Sequence, residues 1–229
     1  MIISHKYKFI FVKTFKTAGT SIEVYLSQHC GGEDIVTPIF PHVEPHTPRN
    51  HTGFFNPIPE LTLTRGSGMR GLLHDFRRRR KFYNHIPAWV VRARIPEKIW
   101  KNYFKFCVER NPWDKTLSHY SMAKSRFGDS LPFDEYLSRR HFPICYPLYT
   151  DLKTGKIIVD RVVRYENLLG ELGDIFGQLG IPFDGSLHVK AKSEYREDRR
   201  SIQEVYTEEQ KHIIQEAFSW EIRTHGYQF

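Results

Sequence analysis

The sequence predicts an α/β fold built on a mainly parallel central sheet, on three observations. Two short apolar runs, residues 7–13 and 103–109, are rich in Phe, Ile and Val and scarcely alternate, as strands covered on both faces do. Each run leads through a polar turn into apolar residues at helical spacing. The chain has 229 residues, 40% hydrophobic and 14% aromatic, enough for one domain with its own core and too apolar for intrinsic disorder. Strands alternating with helices imply a three-layer α/β/α sandwich, in which ligands bind beyond the carboxyl ends of the strands.

After the first run, Ile22, Tyr25, Leu26 and His29 recur at helical spacing behind the turn at residues 14–21. After the second, Pro112 opens a helix with Trp113, Leu117, Tyr120 and Lys124 on one face. Residues 131–140 read as a short helix with Pro132 near its start. Residues 146–152 and 156–163 read as a hairpin around Lys153, Thr154 and Gly155. Asn167 can cap the next helix, whose stripe of Leu168, Leu172, Ile175, Phe176 and Leu179 ends at Gly180 and Pro182. Thr207 and Gln210 form a capping box for the last helix, expected to run to Gly226. Between about residues 30 and 85 apolar periodicity fades, and Pro38, Pro41, Pro45, Pro48, Pro57 and Pro59 punctuate the chain. We read residues 1–229 as one domain, with this irregular segment contributing to an acceptor site.

The run Phe9, Ile10, Phe11, Val12 is cut by Lys13, far short of a leader's apolar core or a membrane span. Cys30, Cys107 and Cys145 are widely spaced with no CxxC pair, which supports neither a disulfide framework nor a Cys-rich zinc site. A soluble protein of the cytoplasm is the expectation. The net charge of +8 favours anionic partners without choosing among them.

The turn Lys16, Thr17, Ala18, Gly19, Thr20, Ser21 has what an anion site needs: a glycine, hydroxyls, a lysine and the amides of a helix N-terminus. A hydroxyl-rich cap with a surface lysine gives the same pattern. The ATP-binding pattern GxxxxGK[ST] is absent, because here the lysine precedes the glycine, which disfavours an ordinary nucleotide kinase. The second turn runs from Glu109 through Arg110, Asn111 and Pro112. Ser118 lies two helical turns after Asn111, so Arg110 and Ser118 could converge on one anion.

Together, and in this order, the two turns resemble those of the sulfotransferases that use 3′-phosphoadenosine 5′-phosphosulfate (PAPS), in particular the branch acting on carbohydrates and other small hydroxyl compounds. The likeness continues through Arg164, Tyr165, Glu166, Asn167 and Leu168 and through Gly226, Tyr227, Gln228 and Phe229. It implies a fold of the P-loop nucleoside-triphosphate-hydrolase type and sulfuryl transfer from PAPS to a hydroxyl, leaving 3′-phosphoadenosine 5′-phosphate (PAP), with no metal required. It places Lys16 on the bridging oxygen and 5′-phosphate, with Thr17, Ala18, Gly19, Thr20 and Ser21 around them. It places Arg110 and Ser118 on the 3′-phosphate and Tyr165 against adenine. Arg196, Arg199 and Arg200 lie where relatives have a basic loop over the cofactor, and Arg196 is the residue we favour. One departure is Phe15, where many relatives have proline or histidine.

Sulfuryl transfer needs a base for the acceptor's proton, and relatives use histidine or glutamate. His85 lies upstream of the second turn at about the place of a catalytic histidine in some carbohydrate-acting relatives, and His51 is its rival. His42, His46 and His51, with Cys30, can be read as metal ligands, although histidines in a Pro-rich loop are more often surface or substrate contacts. The run Arg77, Arg78, Arg79, Arg80, Lys81 reads as a solvated segment, a track for an anionic acceptor, or a nucleic-acid contact. The expected partner is a small-molecule or carbohydrate acceptor, with no nucleic acid and no membrane span. Two alternatives stand beside the enzyme: a basic polyanion-binding or nucleic-acid-binding protein that keeps the turns without the chemistry, and a nucleotide kinase of the same fold class.

Overall fold

The computed structural model describes residues 1–65, 68–127, 131–189 and 200–229. β1 (Ile2–Ser4) and β2 (Phe9–Phe11) form an antiparallel hairpin, with Ile3 opposite Ile10. β3 (Ile35–Val36) pairs antiparallel with the other side of β1. β4 (Phe104–Glu109) joins β2 in parallel, and β5 (Arg161–Arg164) joins β4 in parallel, giving the order β3-β1-β2-β4-β5. Four strands therefore point one way and β1 runs against them. The fold is α/β with a mixed, mostly parallel sheet. The antiparallel β1 is an addition to the expected architecture, supplied by the apolar residues Met1, Ile2 and Ile3.

Between β2 and β3 lies α1 (Gly19–His29). α2 (Ile58–Thr64), α3 (Met69–Arg77), α4 (Ala88–Arg94) and α5 (Glu97–Asn102) lead from β3 to β4. α6 (Pro112–Phe127), α7 (Phe133–Ser138) and α8 (Tyr146–Tyr149) lead from β4 to β5. A 3-10 turn (Tyr165–Asn167) opens into α9 (Leu168–Leu179), and α10 (Ile202–Val205), α11 (Glu208–Ala217) and α12 (Ser219–His225) follow.

Strand periodicity divides the apolar side chains between two faces. Phe9, Phe11, Phe106, Val108 and Val163 pack with Ile22 and Leu26 of α1 and Leu172 and Phe176 of α9. On the other face Ile3, Ile10, Val12 and Cys107 pack with Val91 of α4, Trp100 of α5 and Tyr149 of α8. A third cluster joins Trp113 and Leu117 of α6 to Tyr136 of α7, Ile214 of α11 and Phe218. Burying each such side chain stabilises the fold by roughly 1.5–3 kcal/mol.

Four expectations need correction. Residues 146–152 do not form a strand: Pro147 near the start of α8 favours a helical turn, and only Thr150 and Ile157 make an isolated bridge. The strand Arg161–Arg164 belongs to the sheet instead. The segment from 30 to 85 is not irregular throughout, since it carries β3, α2 and α3. Asn167 holds the N-cap position of α9 without a capping bond from its side chain. The last helix is two helices meeting at Phe218, although its capping box at Thr207 and Gln210 is present and Gly226 ends it in the left-handed conformation, φ 65°. No helix among the described residues is long and apolar enough to cross a membrane.

Candidate functional site

Because β2, β4 and β5 are parallel neighbours, the turns after Val12, Glu109 and Arg164 all leave the sheet at its carboxyl end. A parallel sheet places its ligand crevice there. β4 is the central strand of the three, so the Arg110 turn lies between the other two.

The first turn is shaped by two non-glycine residues in the left-handed region, Lys16 at φ 59° and Ala18 at φ 57°. Such conformations are costly and persist where the surroundings enforce them, often at functional sites. Here the anchors can be named. The Thr14 hydroxyl donates to the Val108 carbonyl of β4 and lies 2.8 Å from the Thr17 hydroxyl. The Phe15 N–H donates to Cys145 Sγ at 3.3 Å, and the single proton of that thiol has two carbonyls within reach, Pro143 at 3.4 Å and Phe15 at 3.7 Å. Burial pushes the Cys145 thiol up to about 12, so it stays protonated and able to donate. Ile22 N–H donates to the Ala18 carbonyl, the first bond of α1. The amides of Gly19, Thr20 and Ser21 precede that bond, at the positive end of the helix. Thr17, Thr20 and Ser21 are buried, and Lys16 is half-buried. Positive helix end, backbone amides and hydroxyls thus meet in one turn, an arrangement of the kind that binds anions.

Arg110 joins all three turns. Its Nη1 donates to the Lys16 carbonyl at 3.1 Å, its guanidinium stacks over the Tyr165 ring at 4.1 Å, and Nε and Nη2 hold Asp114 at 2.7 and 2.6 Å. Three of its five N–H groups serve these bonds, which leaves two for an anion. Asp114 and Ser118 are one helical turn apart on α6, so the half-buried Ser118 follows on the same face of the helix. The second turn is also fixed from outside: Asn111 N–H donates to Glu166 Oε1 at 2.6 Å, and its side-chain amide donates to the Gln228 carbonyl at 2.8 Å.

Beneath the second turn, the buried Glu109 accepts from the Arg110 N–H at 2.9 Å, from Lys115 Nζ at 2.6 Å and from the Tyr149 hydroxyl at 3.0 Å. Tyr149 also lies 3.0 Å from His225 Nε2. Burial first, and the Glu109 charge second, hold the Tyr149 phenol protonated and therefore donating. This buried polar layer fixes the backbone direction at Arg110.

His85 comes to the first turn. Its Nδ1 lies 3.2 Å from the Lys13 carbonyl, its ring stacks on Phe15 at 4.4 Å, and its own backbone is left-handed, φ 57°. A carbonyl can only accept, so Nδ1 carries a proton, and when the ring is neutral its lone pair is at Nε2. His51 is half-buried, and burial lowers its imidazole pKa. Its carbonyl accepts from the Phe82 N–H at 2.8 Å, which ties it to the segment before His85 rather than to the turn. His42 and His46 aim Nε2 at main-chain oxygens, those of His46 and Thr37. Arg196 and Arg199 lie outside the described residues.

From the sequence Glu109 and Glu166 read only as members of their motifs, and Lys115 and Asp114 receive no role. The available signal was a charged residue at the end of an apolar run, Glu109 after Val108, with a lysine at helical distance beyond it.

No family model matches the chain. The chain is 36% identical to an uncharacterized protein of Archaeoglobus fulgidus over 118 residues, which are 48% of this chain and 98% of the archaeal protein.

Proposed function

The chain belongs to the same family as the Archaeoglobus fulgidus protein, and from the chemistry of its three turns we propose that it is a sulfotransferase, transferring the sulfuryl group of PAPS to a hydroxyl acceptor. The observation that carries this reading is the contact of Arg110 with Lys16 on one side and Tyr165 on the other, which makes one continuous anion-binding edge from turns that are distant in sequence. We read the architecture as a three-layer α/β/α sandwich of the P-loop nucleoside-triphosphate-hydrolase type, with α1 and α9 on one face of the sheet and α4, α5 and α8 on the other.

In this reading the first turn and Lys16 hold the 5′ end of the donor, the two remaining N–H groups of Arg110 and the Ser118 hydroxyl hold the 3′-phosphate, and Tyr165 lies against the base. The acceptor oxygen forms its bond to sulfur as the sulfur–oxygen bond to the phosphate breaks, in line. Lys16 and the α1 amides stabilise the charge that grows on the departing phosphate oxygen, each well-placed donor contributing about 3 kcal/mol. His85 takes the acceptor's proton at Nε2. Phe15 holds the His85 ring from one side, so the residue that departs from the resemblance acquires a positioning role.

The acceptor we propose is a carbohydrate or another small hydroxyl compound. The test is calorimetric titration with PAP, adenosine 5′-monophosphate and Mg-ATP, followed by incubation with ³⁵S-labelled PAPS and a panel of sugar, lipid and phenolic acceptors. Preference for PAP and labelling of one acceptor class are expected. Equal affinity for all three nucleotides would point to a general polyanion binder, and preference for Mg-ATP to a kinase.

A further inference from the structure

We propose that the face formed by α3 and the loop at Phe54 docks the protein on an anionic lipid bilayer. This does not depend on the sulfuryl-transfer reading. Met69, Leu73 and Phe76 follow at i, i+4 and i+7 and form one stripe of α3. Met69 is 50% exposed and Leu73 47%. The stripe continues off the helix into Phe54, which is 59% exposed and lies 5.5 Å from the Phe76 ring.

The same face is basic. Arg70, His74 and Arg77 repeat the helical spacing one residue on, and the Arg79 guanidinium lies 4.6 Å over the Phe54 ring. Residues 53–81 contain two carboxylates, Glu60 and Asp75, and both are buried. Glu60 turns inward to Arg94 of α4 at 2.6 and 2.9 Å; Asp75 reaches Arg94 with Oδ2 at 3.3 Å, while its Oδ1 lies 3.5 Å from Arg80 and 3.7 Å from His74, and Phe55 stacks on the Arg94 guanidinium at 3.8 Å. This buried clamp fixes α2 and α3 to α4; Asp75 offsets part of the charge of His74 and Arg80, and the outward charge contributed by Arg70, Arg77, Arg79 and Lys81 is positive.

A soluble polyanion would engage the arginines and leave Met69, Leu73 and Phe54 in water. A bilayer with anionic headgroups satisfies both halves of the pattern: the arginines meet the negative surface and the apolar stripe enters the headgroup boundary. Segregated basic and apolar stripes on a helix held against the body are the arrangement of an interfacial membrane helix rather than of a spanning one.

The experiment is co-sedimentation of the full chain with vesicles of phosphatidylcholine alone or mixed with phosphatidylglycerol. Binding to the mixed vesicles, weakened by salt, is expected. The double variants Met69→Gln/Leu73→Gln and Arg77→Gln/Arg79→Gln, checked for unchanged melting temperature, should each reduce partitioning at least tenfold. A Phe54→Trp variant, compared with the parent, should shift its emission to the blue on adding mixed vesicles, a readout that survives if a double variant misfolds. Absence of binding to the mixed vesicles overturns the proposal. So does binding that is indifferent to Met69→Gln/Leu73→Gln, or an emission of the Phe54→Trp variant that does not move, since either would mean a face that reads charge alone, as for heparin or nucleic acid.

Discussion

Lys13 and Glu23 form a buried ion pair beneath the first turn, Nζ to Oε2 at 2.5 Å, and Gly19 lies directly on the lysine stem. A Cβ at position 19 would fall 2.7 Å from Lys13 Cγ and 3.2 Å from Cε. The stem cannot step aside, because Glu23 holds its far end. Glycine is required here by close approach, so the residue that opens α1 also fixes that helix over the buried pair.

Gly19→Ala should therefore destabilise the fold by about 1–3 kcal/mol, as overpacking does. Glu23→Gln should cost more, about 3–5 kcal/mol, because it takes the carboxylate from two buried partners, the Lys13 ammonium and the Met1 amino group. Urea denaturation of both variants measures this. Unchanged midpoints would mean that Lys13 finds another path to solvent.

Arg110→Lys keeps the charge and loses the fork that reaches Lys16 and Asp114 while stacking on Tyr165. PAP affinity should fall at least tenfold, read by calorimetry. Lys16→Met should instead act mainly on turnover, by about 10²–10³-fold, since its charge matters most when the leaving oxygen becomes negative. The reverse assignment, turnover lost with Arg110 and binding with Lys16, would exchange their roles.

His85→Ala should lower turnover by at least about 10²-fold, the usual share of a general base, and leave PAP binding nearly unchanged. Phe15→Ala tests the positioning role: kcat should fall with little change in KM, the pH–rate profile should move, and Phe15→Tyr should restore both. His51→Ala should behave like the parent. Normal turnover in His85→Ala would return the base to His51.

The parts of the site legible in the sequence are those written in local chemistry. Pro112 at a helix start, Gly180 and Gly226 at helix ends and the Thr207–Gln210 box each act within a few residues, and each stands where expected. The turns that carry Lys16 and Arg110 were legible for the same reason, as a strand-turn-helix signal in each case. Pairings over long separations were not. Nothing near Arg161 says that Val162 will lie beside Cys107, so the run that ends at Val163 read as the arm of a local hairpin. The ion pairs Lys13–Glu23 and Lys115–Glu109 were hidden for a different reason: charged residues next to apolar runs read as strand ends or exposed helix positions, and only the packed sheet encloses both partners.

The polar layer under Arg110 also sets a pH dependence. Glu221 is fully buried, its Oε1 accepts from the Cys145 N–H at 3.3 Å, and its Oε2 has no bond among the described residues. Burial pushes its carboxyl above the ordinary value of 4.5, against the pull of the Lys115 ammonium and with the help of the Glu109 charge. The folded protein therefore holds this proton more tightly than the unfolded chain. The stabilisation it gives is complete below pH 4.5 and is lost as pH rises through the folded value. Glu221→Gln keeps the acceptor for Cys145 and cannot ionise, so it removes this loss. Melting temperatures measured from acid to neutral pH should show the variant gaining on the parent as pH rises, with the smallest gap at the acid end. A gap that is constant, or that widens toward acid, would mean that Glu221 is held as a carboxylate by Lys115 instead.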